Sequence, residues 1–166
     1  FGFIILAGLT ALLSVTLLLP SEIYAQTSPN LGTSASFAVL GAQTVTNTGP
    51  SVINGNLGVF PGTAITGFPP GIVTPPGAIH AADAVAGQAQ IDATAAYGNL
   101  AGQPCNVDMT ATSDLTGMVL APNVYCFSST AALNGALTLD AGGNAGAVWI
   151  FQVGSTLISG SASSVS

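Results

Sequence analysis

The chain has 166 residues, 49% of them apolar, and it contains neither Lys nor Arg. Proteins that bind nucleic acid, phosphate, anionic lipid or acidic polysaccharide do so through guanidinium and ammonium groups, so the composition argues against all these partners. Six scattered carboxylates give a formal charge of −6, which is too sparse for an acidic tail, and the apolar content is too high for a disordered chain. We therefore expect a folded domain that meets an uncharged partner.

The first 25 residues are interpreted as a secretory signal peptide. An apolar run extends from Phe3 to Leu19, and Ala25 supplies a small residue suited to signal peptidase. No Met and no basic residue precede this run, so we interpret the signal as incomplete at its start. A membrane anchor is the alternative, although about 17 apolar residues are short for a bilayer span. Cleavage would leave a secreted, extracellular domain, residues 26–166, with a formal charge of −5 and no membrane association.

Residues 26–76 combine short apolar segments with turn residues. The segments 37–40 and 57–60 are typical of strands, and Asn54-Gly55 provides the positive φ of a tight turn. The pattern predicts several short strands. Prolines then interrupt regular structure at Pro61, Pro69, Pro70, Pro75 and Pro76.

A long helix is predicted at about residues 78–100. The segment is rich in Ala, contains no Pro, and is followed by Gly102 and Pro104. A stripe made mostly of Ala allows a helix to lie close against a sheet, and His80 is interpreted as a surface or capping residue. The stripe consists of Ala78, Ala82, Val85, Ala89, Ala93, Ala96 and Leu100.

The last block, residues 105–166, is again typical of strands, which recur about every ten residues. Apolar residues occupy both parities of 147–153, so this strand is expected to be covered on both sides. In 132–139 one parity is small and semi-polar, which indicates a face open to water. This contrast favours a β-solenoid with a helix along one flank, and a β-sandwich is the alternative.

Two cysteines, Cys105 and Cys126, allow one intramolecular disulfide, which would close a loop of about 20 residues. A zinc site is not indicated, because zinc takes four ligands and His80 is the one histidine. A catalytic thiol is disfavoured since His80 lies on a different predicted element, and no Gly-x-Ser-x-Gly elbow accompanies a serine nucleophile. We predict no enzyme, no metal and no cofactor. Hydrogen bonds to the backbone in turns account for Asp108, Asp114 and Asp140.

A series of short motifs resembles the DUF3494 family of secreted ice-binding proteins. It includes 37–50, Gly55-Asn56-Leu57-Gly58-Val59, Thr66-Gly67-Phe68-Pro69-Pro70-Gly71 and 148–155, in this order over residues 31–166. Each motif is weak alone, and their collinear order makes the match specific. The resemblance implies a mainly β chain: a right-handed, discontinuous β-solenoid (β-helix) with one long α-helix packed along a face. It also implies C-terminal truncation, because family domains continue with further strands.

The resemblance further implies that the protein adsorbs to an ice crystal surface through a flat, helix-free face, as a monomer, and inhibits ice growth and recrystallisation. By matching segments, Thr66 and Ala132 fall on that face, and the Thr63 to Thr66 run fits a Thr-Ala/Gly-x-Thr/Asn pattern of bacterial members. Strand parity adds Asn134 and also Thr156 and Ile158. The alternative is that these threonines are structural, because β propensity alone places threonine on exposed strands.

Two other functions fit the sequence less well. A structural or adhesive extracellular β-solenoid without ice affinity would need the same fold and a partner surface. A polysaccharide-active β-helix would gather acidic residues or basic residues in a groove, and no such cluster can be read from the sequence.

Overall fold

The computed structural model describes residues 26–166, so the predicted signal peptide lies outside the described residues. The described chain forms a short 3-10 helix (Gly32–Ser36), fifteen short strands and one long α-helix. All strand pairs are parallel, and they form six small sheets. Over residues 26–166 the chain has no helix whose length and hydropathy would suit a bilayer span.

The N-terminal coils, residues 37–81, stack directly on one another. The first coil has three strands, and each pairs with the corresponding strand of the next coil: β1 with β4, β2 with β5 and β3 with β6. A further strand, β7, pairs with β4. The strands are β1 (Phe37–Gly41), β2 (Thr44–Thr46), β3 (Val52–Asn54), β4 (Asn56–Val59), β5 (Ala64–Thr66), β6 (Ile72–Thr74) and β7 (Ile79–Ala81).

The C-terminal coils, residues 107–165, repeat this arrangement. Their sheets have the orders β13-β10-β8, β11-β14 and β15-β12-β9, and an isolated bridge joins Asp114 to Ala132 of β11. The strands are β8 (Val107–Asp108), β9 (Val119–Leu120), β10 (Val124–Phe127), β11 (Ala131–Leu133), β12 (Ala136–Leu139), β13 (Ile150–Val153), β14 (Leu157–Ser159) and β15 (Ser164–Val165).

The coils therefore have three walls. We number the walls of each group by the order of the strands along a coil. The sheets β1-β4-β7 and β13-β10-β8 are the first walls of the two groups; β2-β5 and β11-β14, with the Asp114 bridge, are the second walls; β3-β6 and β15-β12-β9 are the third walls. Stacked parallel walls confirm the predicted β-solenoid. The β-sandwich alternative is wrong, because sandwiches are built from antiparallel sheets.

The core lies inside the walls, where the inward residue of each strand meets the equivalent residue of the next coil. In the N-terminal coils Leu57 and Val59 are fully buried, and Leu57 pairs with Val39 on one side and Ile79 on the other. In the C-terminal coils the core is one cluster: Leu115, Leu120, Tyr125, Phe127, Ala131, Leu133 and Leu137.

The long helix, α1 (Ala84–Ala101), begins six residues later than predicted. Residues 79–81 instead pair with β4, and Ala82 has φ 53°, which a right-handed helix does not accommodate. The helix starts after Asp83, whose side chain caps it by accepting from the Ala86 N–H at 2.8 Å. The predicted apolar stripe is therefore wrong at its start, and the buried helical residues are Ala86, Gly87, Ala89 and Ala96.

The helix is bound to the first wall of both groups of coils. Gln90 donates from Nε2 to the Gly41 carbonyl at 2.8 Å, which attaches the helix to β1. At the other end Gln152 of β13 donates to the Leu100 carbonyl at 2.9 Å. The helix thus covers the first wall and leaves the second and third walls open.

Two further contacts fix the helix flanks. The Asp92 carboxylate accepts from the backbone N–H and the hydroxyl of Thr33, each at 2.7 Å, and the Thr33 hydroxyl is the main reason that the pKa of Asp92 is lowered. Beyond the helix, Cys105 and Cys126 form a disulfide with a Cα–Cα distance of 5.9 Å. It ties the chain that follows the helix to β10.

His80 is part of strand β7, not of the helix. Its ring lies 5.5 Å from that of Phe37, and its Nδ1 lies 2.7 Å from Oδ2 of Asp83. The hydrogen bond from the Ala86 N–H lowers the pKa of Asp83 most, and the hydrogen bond with His80 lowers it further. His80 therefore contributes to the joint between the first wall and the helix, next to the residue that caps the helix.

Candidate functional site

The second wall of the N-terminal coils exposes a small lattice of short side chains. Strands β2 and β5 each expose their first and third residues and turn the middle residue, Val45 or Ile65, toward the interior, as the two-residue period of a strand requires. Thr44 pairs with Ala64, and Thr46 pairs with Thr66. We call the four exposed residues Thr44, Thr46, Ala64 and Thr66 the threonine patch.

The threonine patch is held rigidly at one corner. The hydroxyl oxygens of Thr46 and Thr66 are 3.4 Å apart. In the next residue, Asn47, the backbone N–H donates to the Thr66 carbonyl at 3.0 Å, and Nδ2 donates to the Gly67 carbonyl at 3.0 Å. Asn47 therefore joins the two coils directly beside the patch, and the stiff χ1 of Thr limits motion of the patch itself.

The second wall of the C-terminal coils presents two outward rows. Asp114, Ala132 and Ile158 are aligned by the bridge and by the β11–β14 pairing. In the next row Thr116 lies beside Asn134, whose backbone N–H donates to the Thr116 hydroxyl at 2.9 Å. The residues between the rows, such as Leu115 and Leu133, are buried.

Asp114 is the one carboxylate on the described strands and bridge of the second wall. Its Oδ1 accepts from the Thr116 hydroxyl at 2.6 Å and from the Thr116 N–H at 2.9 Å. Its Oδ2 accepts from Nδ2 of Asn134 at 3.3 Å. These hydrogen bonds lower the pKa of Asp114, and the bond from the Thr116 hydroxyl has the largest effect. The Asp114 carboxyl group is therefore ionised at neutral pH.

Residues 39–166 match the family model described as Ice-binding-like. The chain belongs to this family. The ice-binding protein of Nostoc sp. (strain HG1) is 53% identical over 135 residues, which are 81% of this chain and 49% of that protein. The chain thus spans about half the length of this relative.

Solved ice-binding proteins share the fold. The crystal structure of the ice-binding protein from the Antarctic ascomycete Antarctomyces psychrotrophicus matches with a TM-score of 0.79 at 40% identity, covering 84% of this chain and 67% of that one. The DUF3494 domain of ice-binding protein 1 from Shewanella frigidimarina matches with a TM-score of 0.70 at 29% identity, covering 81% and 68%. The resemblance to the DUF3494 family is confirmed.

In this ice-binding-like chain the six residues predicted as ice-binding lie outside the helix-covered first wall. Thr66 is exposed on β5, and Thr63 is exposed in the turn before it. Asn134, Thr156 and Ile158 are exposed, whereas Ala132 is half-buried and faces outward between two buried neighbours. The structure brings them together as two groups, Thr63 with Thr66 and Ala132 with Asn134, Thr156 and Ile158.

Sequence reasoning missed part of the same surface. Thr44, Thr46 and Ala64 complete the threonine patch, and Thr116 and Asp114 complete the outward rows of the C-terminal coils. The available signal was the repeat of an alternating triplet, Thr44-Val45-Thr46 and Ala64-Ile65-Thr66, at an offset of 20 residues. Three residues are too few for such an alternation to identify a shared wall by themselves.

The third wall is also free of the helix, but its exposed side chains are larger. Val52 and Ile72 pair with each other and are 56% and 53% exposed. Val119, 66% exposed, pairs with Thr138. The threonine patch, with Thr and Ala alone, is the more even surface.

A groove of about 820 Å³ lies between the end of the helix and strands β10 and β13. Four aromatic residues line it, and Asp108 is the one carboxylate among the described residues that do so; the aromatic residues are Tyr97, Phe127, Trp149 and Phe151. Residues 26–166 contain no group of three His, Cys, Asp or Glu side chains placed to hold a metal ion. The groove thus offers apolar surface without the pair of acidic groups that glycoside hydrolysis uses.

Proposed function

We propose that this chain is part of a secreted ice-binding, antifreeze-type protein that adsorbs to ice through the second wall. The observation that carries the proposal is the threonine patch, an exposed, in-register lattice of Thr and Ala on a wall that the helix leaves free. The ice-binding proteins that share its family and fold support the same function.

Ice is an uncharged lattice that competes with liquid water of identical chemistry, so its binder must present a fixed surface on which water takes ice-like positions. Parallel strands about 4.8 Å apart, with side chains repeating every ~6.6 to 7 Å along each strand, supply a regular grid. The methyl groups of Thr and Ala order nearby water, and the Thr hydroxyls hydrogen-bond to it.

Rigidity and charge decide whether such a grid is useful. Flexible side chains would lose entropy on adsorption and weaken a contact that is weak per unit area. Thr has a restricted χ1, and the corner at Asn47 fixes the two coils relative to each other. The chain has no Lys or Arg, whose hydrated cationic groups would hold water in other orientations. Adsorbed molecules would then pin the ice front, curve it and lower the local freezing temperature.

The C-terminal coils extend the proposed surface. Ala132, Asn134, Thr156 and Ile158 face outward on the second wall, and Thr63 lies at the margin of the threonine patch. We further propose that residues 1–25 direct secretion and that the domain acts as a monomer outside the cell, where a disulfide such as Cys105–Cys126 is stable.

The test is growth of a single ice crystal in a solution of the purified protein. We expect thermal hysteresis and a shaped crystal from the parent, and a strong loss of both with Thr66→Tyr, because a long aromatic side chain would hold the patch away from ice. Thr138→Tyr is the matched control, since Thr138 is an exposed strand threonine on the third wall.

A parent protein that leaves the crystal an unshaped disc, with no hysteresis, would favour the structural or adhesive alternative. Equal activity in the Thr66→Tyr and Thr138→Tyr variants, with the parent active, would place the ice-binding surface elsewhere.

A further inference from the structure

We propose that Asp114 is a positioning residue of the second wall: its carboxylate holds the Thr116 hydroxyl and the Asn134 amide in fixed orientations toward ice. The inference rests on the proposed function, which it deepens by adding residues that the sequence assigned to a turn. Asp114 would not need to contact ice itself.

The side chains of Asp114, Thr116 and Asn134 form a closed set of hydrogen bonds across two coils, together with two backbone N–H groups. The Asp114 carboxylate accepts twice from Thr116, at 2.6 and 2.9 Å, and once from the Asn134 amide at 3.3 Å. The Thr116 hydroxyl accepts in turn from the Asn134 backbone at 2.9 Å. The Asp114 carboxylate is thus fixed by three hydrogen bonds and the Thr116 hydroxyl by two, and the Asn134 side chain is held by its one bond to Asp114.

The orientation of Asn134 is the main consequence. The terminal torsion of an Asn side chain is broad, so an unrestrained amide would present its oxygen and nitrogen interchangeably. Here Nδ2 is directed to Asp114, and Oδ1 lies on the side of Gly160 in the following coil, where a Cβ on Gly160 would be only 3.3 Å from it. The amide oxygen is thus offered in one direction, as an ordered water layer requires.

The same bonds reduce the disturbance that a carboxylate would cause on an ice-facing wall. An ionised carboxylate has about four acceptor positions, and intramolecular donors occupy three of them. The carboxylate therefore has little capacity left to bind bulk water strongly. The residues that face it from the next coil, Ala132 of β11 and Asn134 just after β11, carry no titratable group.

A second Asp-x-Thr turn in the chain provides a matched control. Asp108 accepts from the Thr110 N–H at 2.8 Å, and the Thr110 hydroxyl is the main reason that the pKa of Asp108 is lowered. Asp108 belongs to β8 on the first wall and lines the groove beside the helix. Asp108→Asn therefore removes the same charge from the same local turn, away from the second wall.

The experiment compares thermal hysteresis of the parent, Asp114→Asn and Asp108→Asn at neutral pH, with urea unfolding of each. The amide nitrogen of an Asn at 114 would meet Nδ2 of Asn134 donor to donor, so the Asn134 amide would be released. We expect Asp114→Asn to lose hysteresis several-fold and Asp108→Asn to retain it, although both variants lose similar stability.

A pH profile separates positioning from simple support of the fold. The hysteresis of the parent should fall as pH drops into the lowered titration range of Asp114, and that step should be missing in Asp114→Asn. If Asp114→Asn does not fold, Thr116→Val and Thr116→Ser replace it, and the loss is expected for Val alone because Ser keeps the hydroxyl.

Equal hysteresis in the Asp114→Asn and Asp108→Asn variants, or in the Thr116→Val and Thr116→Ser variants, would overturn the inference. Absence of hysteresis in the parent would instead overturn the proposed function, so the two failures are distinguishable.

Discussion

Gly67 offers a sharp test of how tightly the threonine patch is held. It follows Thr66 at the end of β5, has φ +81°, and a Cβ at this position would overlap the carbonyl oxygen of Asn47 in the neighbouring coil. Gly143, in the turn after β12, has the same φ of +81° with open space around it. Alanine at the two positions therefore differs only in the neighbour that it meets.

The expected magnitudes follow from these surroundings. A left-handed φ costs a non-glycine residue ~1 to 2 kcal/mol, and a less flexible unfolded chain offsets ~0.4 to 1 kcal/mol, so Gly143→Ala should cost about 0 to 1.6 kcal/mol. Gly67→Ala adds an overpacking cost of ~1 to 3 kcal/mol and weakens the hydrogen bond from Asn47, worth about 1 kcal/mol. We expect a loss of roughly 2 to 5 kcal/mol in the free energy of unfolding.

Urea unfolding, followed by fluorescence of the half-buried Trp149, measures both variants. With a slope of ~1 to 3 kcal/mol per molar urea, the midpoint of Gly67→Ala should lie about 1 M or more below that of Gly143→Ala. Hysteresis should fall in Gly67→Ala as well, because Thr46 and Thr66 separate. Identical midpoints would refute the reasoning, since the Asn47 corner would then be free to move at no cost.

Three further outcomes are expected from urea unfolding. Leu137→Ala should cost about 2 to 5 kcal/mol, since Leu137 is buried. Val165→Ala should cost well below half of that, because Val165, which pairs with Leu137, is 57% exposed; equal costs would contradict this expectation. Asp92→Asn should make the free energy of unfolding depend less on pH in the acid range. The pKa of Asp92 is lowered in the folded state, so the stabilisation that its carboxylate gives is present at neutral pH and is lost as pH falls through that lowered pKa. An acid profile identical to that of the parent would contradict this expectation. Replacing Cys105 and Cys126 together by Ser should cost ~3 kcal/mol for a loop of about 20 residues, and an unchanged midpoint would show that the bridge does not constrain the unfolded chain.

The existence of the helix and the strand-rich walls could be predicted from the sequence, because both depend on local periodicity. The start of the helix could not. Ala78 and Ala82 continue the spacing of the helical stripe, but residues 79–81 pair with β4, over 20 residues earlier. A parallel pairing at that separation outweighs the intrinsic preference of Ala, which is a weak influence beside tertiary contacts.

The site was predictable to a similar extent. Parity within one strand related Ala132 to Asn134 and, separately, Thr156 to Ile158, since residues two apart share a face. It could not reveal that Thr46 lies beside Thr66 or that Asp114 lies beside Ala132, because these contacts join different coils. The expected hydrogen bond from the backbone to Asp114 is present, and its donor is the Thr116 N–H. Asp114 lies on a β-bridge and not in a turn, and its bond to Asn134 required the stacking of coils to be known.

The unequal coil lengths have a consequence for how such a protein can diversify. Paired residues are 20 positions apart between β2 and β5 and 26 apart between β10 and β13, so the corners absorb the difference while the strands keep their register. Insertions and deletions at corners, such as the glycine-rich turn at 141–146, are accordingly tolerable, whereas one extra residue inside a strand would turn its exposed set inward. Related sequences can therefore differ in the lengths of their corners and still keep the exposed residues of neighbouring strands in register.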